Sequence, residues 1–256
     1  MTSPAARRLL EAARSASPCA PVRDLIGADD IAAAYAVQQE VVAVRRRSAR
    51  VVGHKVGLTS AAVQRQLGVD RPDFGVLFDD MDVTGVDPVP VGGLLQPRIE
   101  AEVAFLLGAD LGGEIALEGV LAAVDAMAPA LEIVDSRIAG WDITIADTIA
   151  DNASSGLFVL GAGRARLDEV RPADIEMELS VDGRMVAKGS GAACLGDPLA
   201  ALAWLAGAAL ELGDPLRAGQ LVLSGALGPM VPVVPGTTVT ATLTGLGTVS
   251  ARFADC

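Results

Sequence analysis

Two glutamates two residues apart, Glu100 and Glu102 in the run RIEAEVAF, stand out as side chains that could do chemistry. Side chains alternate along a strand, so both carboxylates project from one face about 7 Å apart, with Ala101, Val103 and Phe105 on the other. Carboxylates on an apolar strand are costly to bury without partners. Two arrangements meet that cost. One is an edge strand with a solvated face. The other is a hard divalent cation, Mg²⁺ or Mn²⁺, which takes carboxylate oxygens. Glu132, isolated in the apolar run APALEIVDSRI, adds a third oxygen donor and strengthens the cation reading.

Lys55 follows His54 in VVGHKVGLTS, between glycines and valines. A lysine desolvated there has a lowered pKa and can pair with a carboxylate or move protons; a snorkelling lysine with a buried stem is the alternative. Asp73 in RPDFG reads either as a group orienting water or a proton, or as a turn aspartate bonding its own backbone. Asp79 and Asp80 in LFDDM carry the same two readings. DTIADNASSG brings Asp147, Asp151, Asn152, Ser154 and Ser155 together, as substrate-binding groups or as a plain polar loop.

The chain has one histidine, His54, so a histidine triad or a histidine-rich zinc site has almost nothing to draw on. It reads as a structural residue. The glycines of GALGPM and GAACLG are too irregular for a phosphate loop. A net charge of −12 opposes nucleic-acid binding, and Arg45-Arg46-Arg47 reads as the cationic end of a helix. Three distant cysteines, Cys19, Cys194 and Cys256, suggest reduced thiols in the cytoplasm. No signal peptide is expected, and LAALAWLAGAALEL is too short for a membrane span, so it reads as a buried helix.

The elements that must position these residues follow from periodicity. Of 256 residues, 51% are hydrophobic and only 3% aromatic, so the core is aliphatic. Two helical stretches open the chain, the second over roughly 28–47 with Asp29-Asp30 at its start. A strand is expected over 50–58, a short helix over 59–69, and a loop leading into an apolar segment over 70–81. PRIEAEVAFLL and PALEIVDSRI read as strands, with an amphipathic helix over 117–128 between them. LFVLGA and QLVLSGA read as further strands. Hairpins are expected at Asp182-Gly183 and at Gly245–Gly247. The expected architecture is a single catalytic domain over 1–256, with a helical N-terminal cap over 1–50 and a β-rich metal-binding core over 51–256.

The segments GHKVGLTS, GVDRPDFGVLFDDM, QPRIEAEVAFLL, PALEIVDSRI, DTIADNASSGLFVLG and SGALGPMVPVVPG occur in an order that resembles the 2-keto-4-pentenoate hydratases of the fumarylacetoacetate hydrolase superfamily. The resemblance runs from about Ala32 to Phe253. It implies an α+β fold with a mixed β-roll or barrel-like core and flanking helices. It also implies Mg²⁺ or Mn²⁺ on Glu100, Glu102 and Glu132, catalytic roles for Lys55 and Asp73, and substrate contacts at Leu58, Asp79 and Ser154. The implied reaction is hydration of 2-hydroxypenta-2,4-dienoate to 4-hydroxy-2-oxopentanoate in aromatic meta-cleavage catabolism. A homo-oligomer, pentameric or decameric, and a neighbouring pathway aldolase are implied as partners. A 4-oxalocrotonate decarboxylase is the nearest rival, differing in whether the distal end of the substrate is a carboxylate or a vinyl group. A non-catalytic metal-binding partner is the reading from a different class.

Overall fold

The structure, a computed structural model, describes residues 2–60, 64, 69, 71–113 and 115–255. The chain opens with three helices: α1 (Pro4–Ser15), α2 (Arg23–Ile26) and α3 (Ile31–Arg45). Ser3 and Asp30 cap α1 and α3, each accepting a backbone N–H of the first turn. The basic run closes α3, where Arg45 pairs with Asp80 and Arg46 with Asp214.

The main sheet is built from β1 (Val51–Gly57), β2 (Asp73–Phe78), β3 (Arg98–Leu107), β4 (Val124–Val134), β5 (Ser155–Leu160), β8 (Leu221–Leu223) and β9 (Val231–Pro232). Its order is β2-β1-β8-β3-β4-β5, with β9 also on β3. All pairings are antiparallel except β1 with β8. A second, antiparallel sheet has the order β11-β10-β6-β7, from β6 (Glu176–Val181), β7 (Arg184–Ser190), β10 (Thr238–Leu243) and β11 (Gly247–Arg252). Both expected hairpins form, and β10 and β11 pack across β4. The remaining helices are α4 (Leu117–Ala123), α5 (Ile145–Ala150) and α6 (Pro198–Glu211). The apolar α6 is a core helix, with Ala201, Leu202, Leu205 and Ala206 fully buried. Helices α1 and α3 share a separate apolar cluster with α5, through Leu9, Val37, Ile145 and Ile149.

Four expectations change. Residues 73–78 form strand β2 with every residue buried, so Asp73 begins a strand instead of sitting in a loop. Short apolar runs carry no period that separates strand from loop, and pairing with β1 decides this one. The amphipathic helix stops at Ala123, because Val124 to Ala128 are drawn into the ladder with β3. DTIADNASSG is largely helical: Thr144 and Asp147 make a capping box at the start of α5. Finally, β3 lies between β8 and β4, so the edge-strand reading of Glu100 and Glu102 fails. The helix expected over 59–69 falls largely outside the described residues.

Candidate active site and metal centre

Alternation along β3 puts Glu100 and Glu102 on one face, and the β3–β4 register sets Glu132 directly opposite Glu100. One carboxylate oxygen from each of the three lies within 4.8 Å of the others. Glu102 and Glu132 are fully buried and Glu100 is 7% exposed. Glu102 Oε2 accepts the N–H of Gly225 at 2.8 Å. Gly225 has φ +104°, and a Cβ there would fall 2.4 Å from the Thr59 hydroxyl oxygen, so the approach requires glycine.

Lys55 projects from the middle of β1, and its Nζ lies 3.2 Å from Glu132 Oε1, an ion pair without hydrogen-bond alignment. Asp73 opens β2 opposite Gly57. Its Oδ2 accepts from Thr148 Oγ1 on α5 at 3.0 Å, and its Oδ1 has no donor. The space over Gly57 is what both groups share. A Cβ there would lie 2.2 Å from Asp73 Oδ1 and 3.6 Å from Lys55 Nζ.

Lys55, Asp73, Glu100 and Thr148 line a cavity of ≈ 200 Å³, together with Leu58, Ser154, Arg98 and Trp141. Asp79 is not among its lining residues. It starts a 3-10 turn after β2, accepts the N–H of Arg50 at 2.9 Å, and its side chain is 42% exposed. The other polar residues of DTIADNASSG are structural. Asp147 binds Val22 N, Arg23 and Thr144; Asp151 pairs with Arg137; Asn152 clasps both backbone groups of Val76. His54 lies on the opposite face of β1 from Lys55 and borders a different cavity of ≈ 260 Å³, with Arg46 and Asp214. Burial lowers its pKa to about 4, so it is neutral, as a structural residue should be.

Burial also raises the pKa of all three glutamates; repulsion from Glu132 adds to it at Glu100 and Glu102, while Lys55 pulls against it at Glu132, and Glu100 rises to about 7. Asp73 is raised by burial, against the pull of Lys55 and Thr148. The lysine corrects the expectation from sequence. Burial does act to lower its pKa, but Glu132, Asp73, Glu100 and Glu102 together outweigh it, and the net shift is upward. Lys55 is therefore an ammonium among carboxylates. Glu102 Oε1 and both Glu132 oxygens are buried without a hydrogen-bond donor. Hard carboxylate oxygens without hydrogen-bond donors on neighbouring strands, one of them facing Lys55 Nζ, fit a divalent cation of the Mg²⁺ or Mn²⁺ type.

Sequence reasoning missed Thr148, Arg98 and Trp141. Arg98 carried a usable signal, because strand parity places it with Glu100 and Glu102. Thr148 carried none, since its link to Asp73 depends on how α5 packs against β2.

The chain matches the fumarylacetoacetate (FAA) hydrolase C-terminal family over residues 36–254. It is 51% identical over 253 residues to the TodF product hydratase of Pseudomonas putida F1, covering 98% of this chain and 94% of that one. It is 49% identical to the 2-keto-4-pentenoate hydratase of Paraburkholderia xenovorans LB400, covering 97% and 93%. Among solved structures, 4-oxalocrotonate decarboxylase from Pseudomonas putida G7, complexed with magnesium and adipate, superposes with a TM-score of 0.91. The two chains are 36% identical, with 97% and 95% covered.

Proposed function

Because the chain belongs to the fumarylacetoacetate hydrolase family, and within it to the 2-keto-4-pentenoate hydratases, we propose that it hydrates 2-hydroxypenta-2,4-dienoate to 4-hydroxy-2-oxopentanoate. The observation that carries the reading is the buried Glu100–Glu102–Glu132 cluster with ammonium Lys55 against it and Asp73 beside it, at one cavity.

Glu100, Glu102 and Glu132 would hold a divalent metal, which when bound would supply Lewis acidity toward the 2-oxo acid end of the substrate. The rest of the chemistry is proton movement. The dienol loses its 2-hydroxyl proton and gains one at C5, giving an α,β-unsaturated 2-oxo acid. Water then adds, its hydroxyl to C4 and its remaining proton to C3. Lys55 Nζ holds a proton at the cavity wall, and Asp73 Oδ1, which has no donor, is free to receive one. Thr148 fixes the other Asp73 oxygen, so the free one stays aimed over Gly57. Leu58 and Ser154, which line the cavity, are proposed to touch the substrate; no substrate role is proposed for Asp79.

The test is an ultraviolet assay of freshly generated 2-hydroxypenta-2,4-dienoate with Mg²⁺ or Mn²⁺, then with chelator. Rapid, chelator-sensitive loss to 4-hydroxy-2-oxopentanoate is expected. The structural likeness to a 4-oxalocrotonate decarboxylase favours a second reading. Release of CO₂ from 2-oxo-3-hexenedioate, without turnover of the shorter dienoate, would establish that one instead. Metal binding with neither activity would indicate a non-catalytic partner.

The product is a β-hydroxy ketone, which suits it to retro-aldol cleavage, and an aldolase is the proposed next enzyme. Assembly as a homo-oligomer and a cytoplasmic location belong to the same proposal. Free Cys19 and Cys194 fit a reducing compartment, and among the described residues no helix is long and apolar enough to cross a membrane.

A further inference from the structure

Arg98 is an arginine at the cavity wall with no acidic partner among the described residues. It precedes Glu100 by one same-face step on β3, and its backbone is held between Val134 of β4 and Pro232 of β9. Its guanidinium lies over the Trp141 ring, 4.8 Å from the centroid. Trp141 is itself fixed, since its Nε1 donates to Gln96 O at 3.1 Å. Among the described residues, the only side-chain acceptor for the Arg98 fork is Met230 Sδ, a weak one, at 3.9 Å. Other arginines at comparable burial are paired: Arg8 with Asp24, Arg23 with Asp142 and Asp147, Arg137 with Asp151. A guanidinium stacked on an indole keeps its donor edges free, and a carboxylate matches that fork two bonds at a time.

Charge points the same way. Four carboxylates, Glu100, Glu102, Glu132 and Asp73, face one lysine. A divalent ion would still leave one negative charge in excess, and an anionic substrate would meet repulsion. Arg98 supplies the missing positive charge on the wall beside Glu100.

We propose that Arg98 is the carboxylate anchor of the site, its fork binding the C1 carboxylate of the 2-oxo acid while Trp141 holds the guanidinium plane. The proposal rests on the 2-oxo-acid reading above. The C1 end is assigned because Arg98 is the same-face neighbour of the cation cluster, where that carboxylate belongs. Leu58, Ile143 and Val134 leave apolar wall for the hydrocarbon end.

The test uses pyruvate, which has the 2-oxo-acid end and no tail. Calorimetric titration of pyruvate into the full chain at saturating Mg²⁺ is compared for wild type, Arg98→Met and Arg98→Lys. Mg²⁺ binding and circular dichroism are measured on each. Arg98→Met is expected to weaken pyruvate at least tenfold with Mg²⁺ binding retained, and Arg98→Lys to recover part of the loss. Pyruvate affinity within twofold of wild type in folded, Mg²⁺-loaded Arg98→Met would overturn the anchor. This binding readout is independent of turnover, so a failed dienoate assay with an intact Arg98 effect would refute the hydratase reading and leave the anchor standing. Absence of pyruvate binding by Mg²⁺-loaded wild type would sink both.

Discussion

Replacing Gly57 by alanine isolates the placement of one carboxylate. The glycine is not in the left-handed region, so its backbone accepts a side chain, and the effect is steric. The new Cβ would lie 2.2 Å from Asp73 Oδ1, and ordinary contact begins at 3.4 Å, so the carboxylate must retreat by the difference, about 1.2 Å. Asp73 is fully enclosed, and its other oxygen is tied to Thr148, so the retreat also strains that hydrogen bond. A misplacement of about 1 Å in a reacting group costs on the order of 10²-fold in rate. The expected result is a kcat about 10²-fold lower, equivalent to about 2.7 kcal/mol of barrier. Overpacking costs about 1–3 kcal/mol of stability. Steady-state ultraviolet kinetics and thermal unfolding separate the two. In an Asp73→Ala background the Gly57→Ala change should add nothing, because the group it displaces is gone. A Gly57→Ala enzyme with kcat within threefold of wild type would refute the reasoning, since Asp73 would then not need its place.

Glu102→Gln should leave the metal-free protein at least as stable as wild type, because it removes one of three crowded buried carboxylates and keeps an acceptor for Gly225 N–H. It should lose the stabilisation that wild type gains with Mg²⁺, about 2.7 kcal/mol at a hundredfold excess over Kd; an unchanged Mg²⁺-dependent melting rise would count against the cluster. His54 gives a pH prediction. Its folded pKa, about 4, lies below the ordinary histidine value of 6.5, so the unfolded chain binds the proton first. Its contribution is complete above 6.5 and is lost as pH falls towards 4, about 2 kcal/mol by pH 5. Burial is the main cause, with Asp214 and Arg46 as opposing charges nearby. The unfolding free energy of His54→Leu should gain on wild type by that amount between pH 7.5 and 5. A pH-independent difference would mean that His54 titrates in the fold as it does in the unfolded chain.

Much of the fold was legible because its rules are local. The Asp182-Gly183 and Gly245–Gly247 turns, the Asp30 cap and the apolar α6 each depend on a few adjacent residues. Where two elements competed for the same residues, locality failed. Residues 124–128 had a helical pattern and became strand, because a ladder to β3 more than fifteen residues earlier buries them more completely.

The site divides along the same line. Strand parity by itself put Glu100 and Glu102 on one face, since a period of two needs no knowledge of the neighbours. It could not say that Glu132 stands opposite Glu100, that Lys55 reaches Glu132 from across β8 and β3, or that Thr148 holds Asp73. Those are matters of register and packing between segments distant in the chain. The protonation of Lys55 shows the physical reason most plainly. Its apolar sequence neighbours argue for a lowered pKa, but four carboxylates that only the folded sheet brings to it reverse the sign. Burial can be read from adjacent residues, whereas a Coulomb field sums over everything within reach, and only the tertiary structure decides what that is.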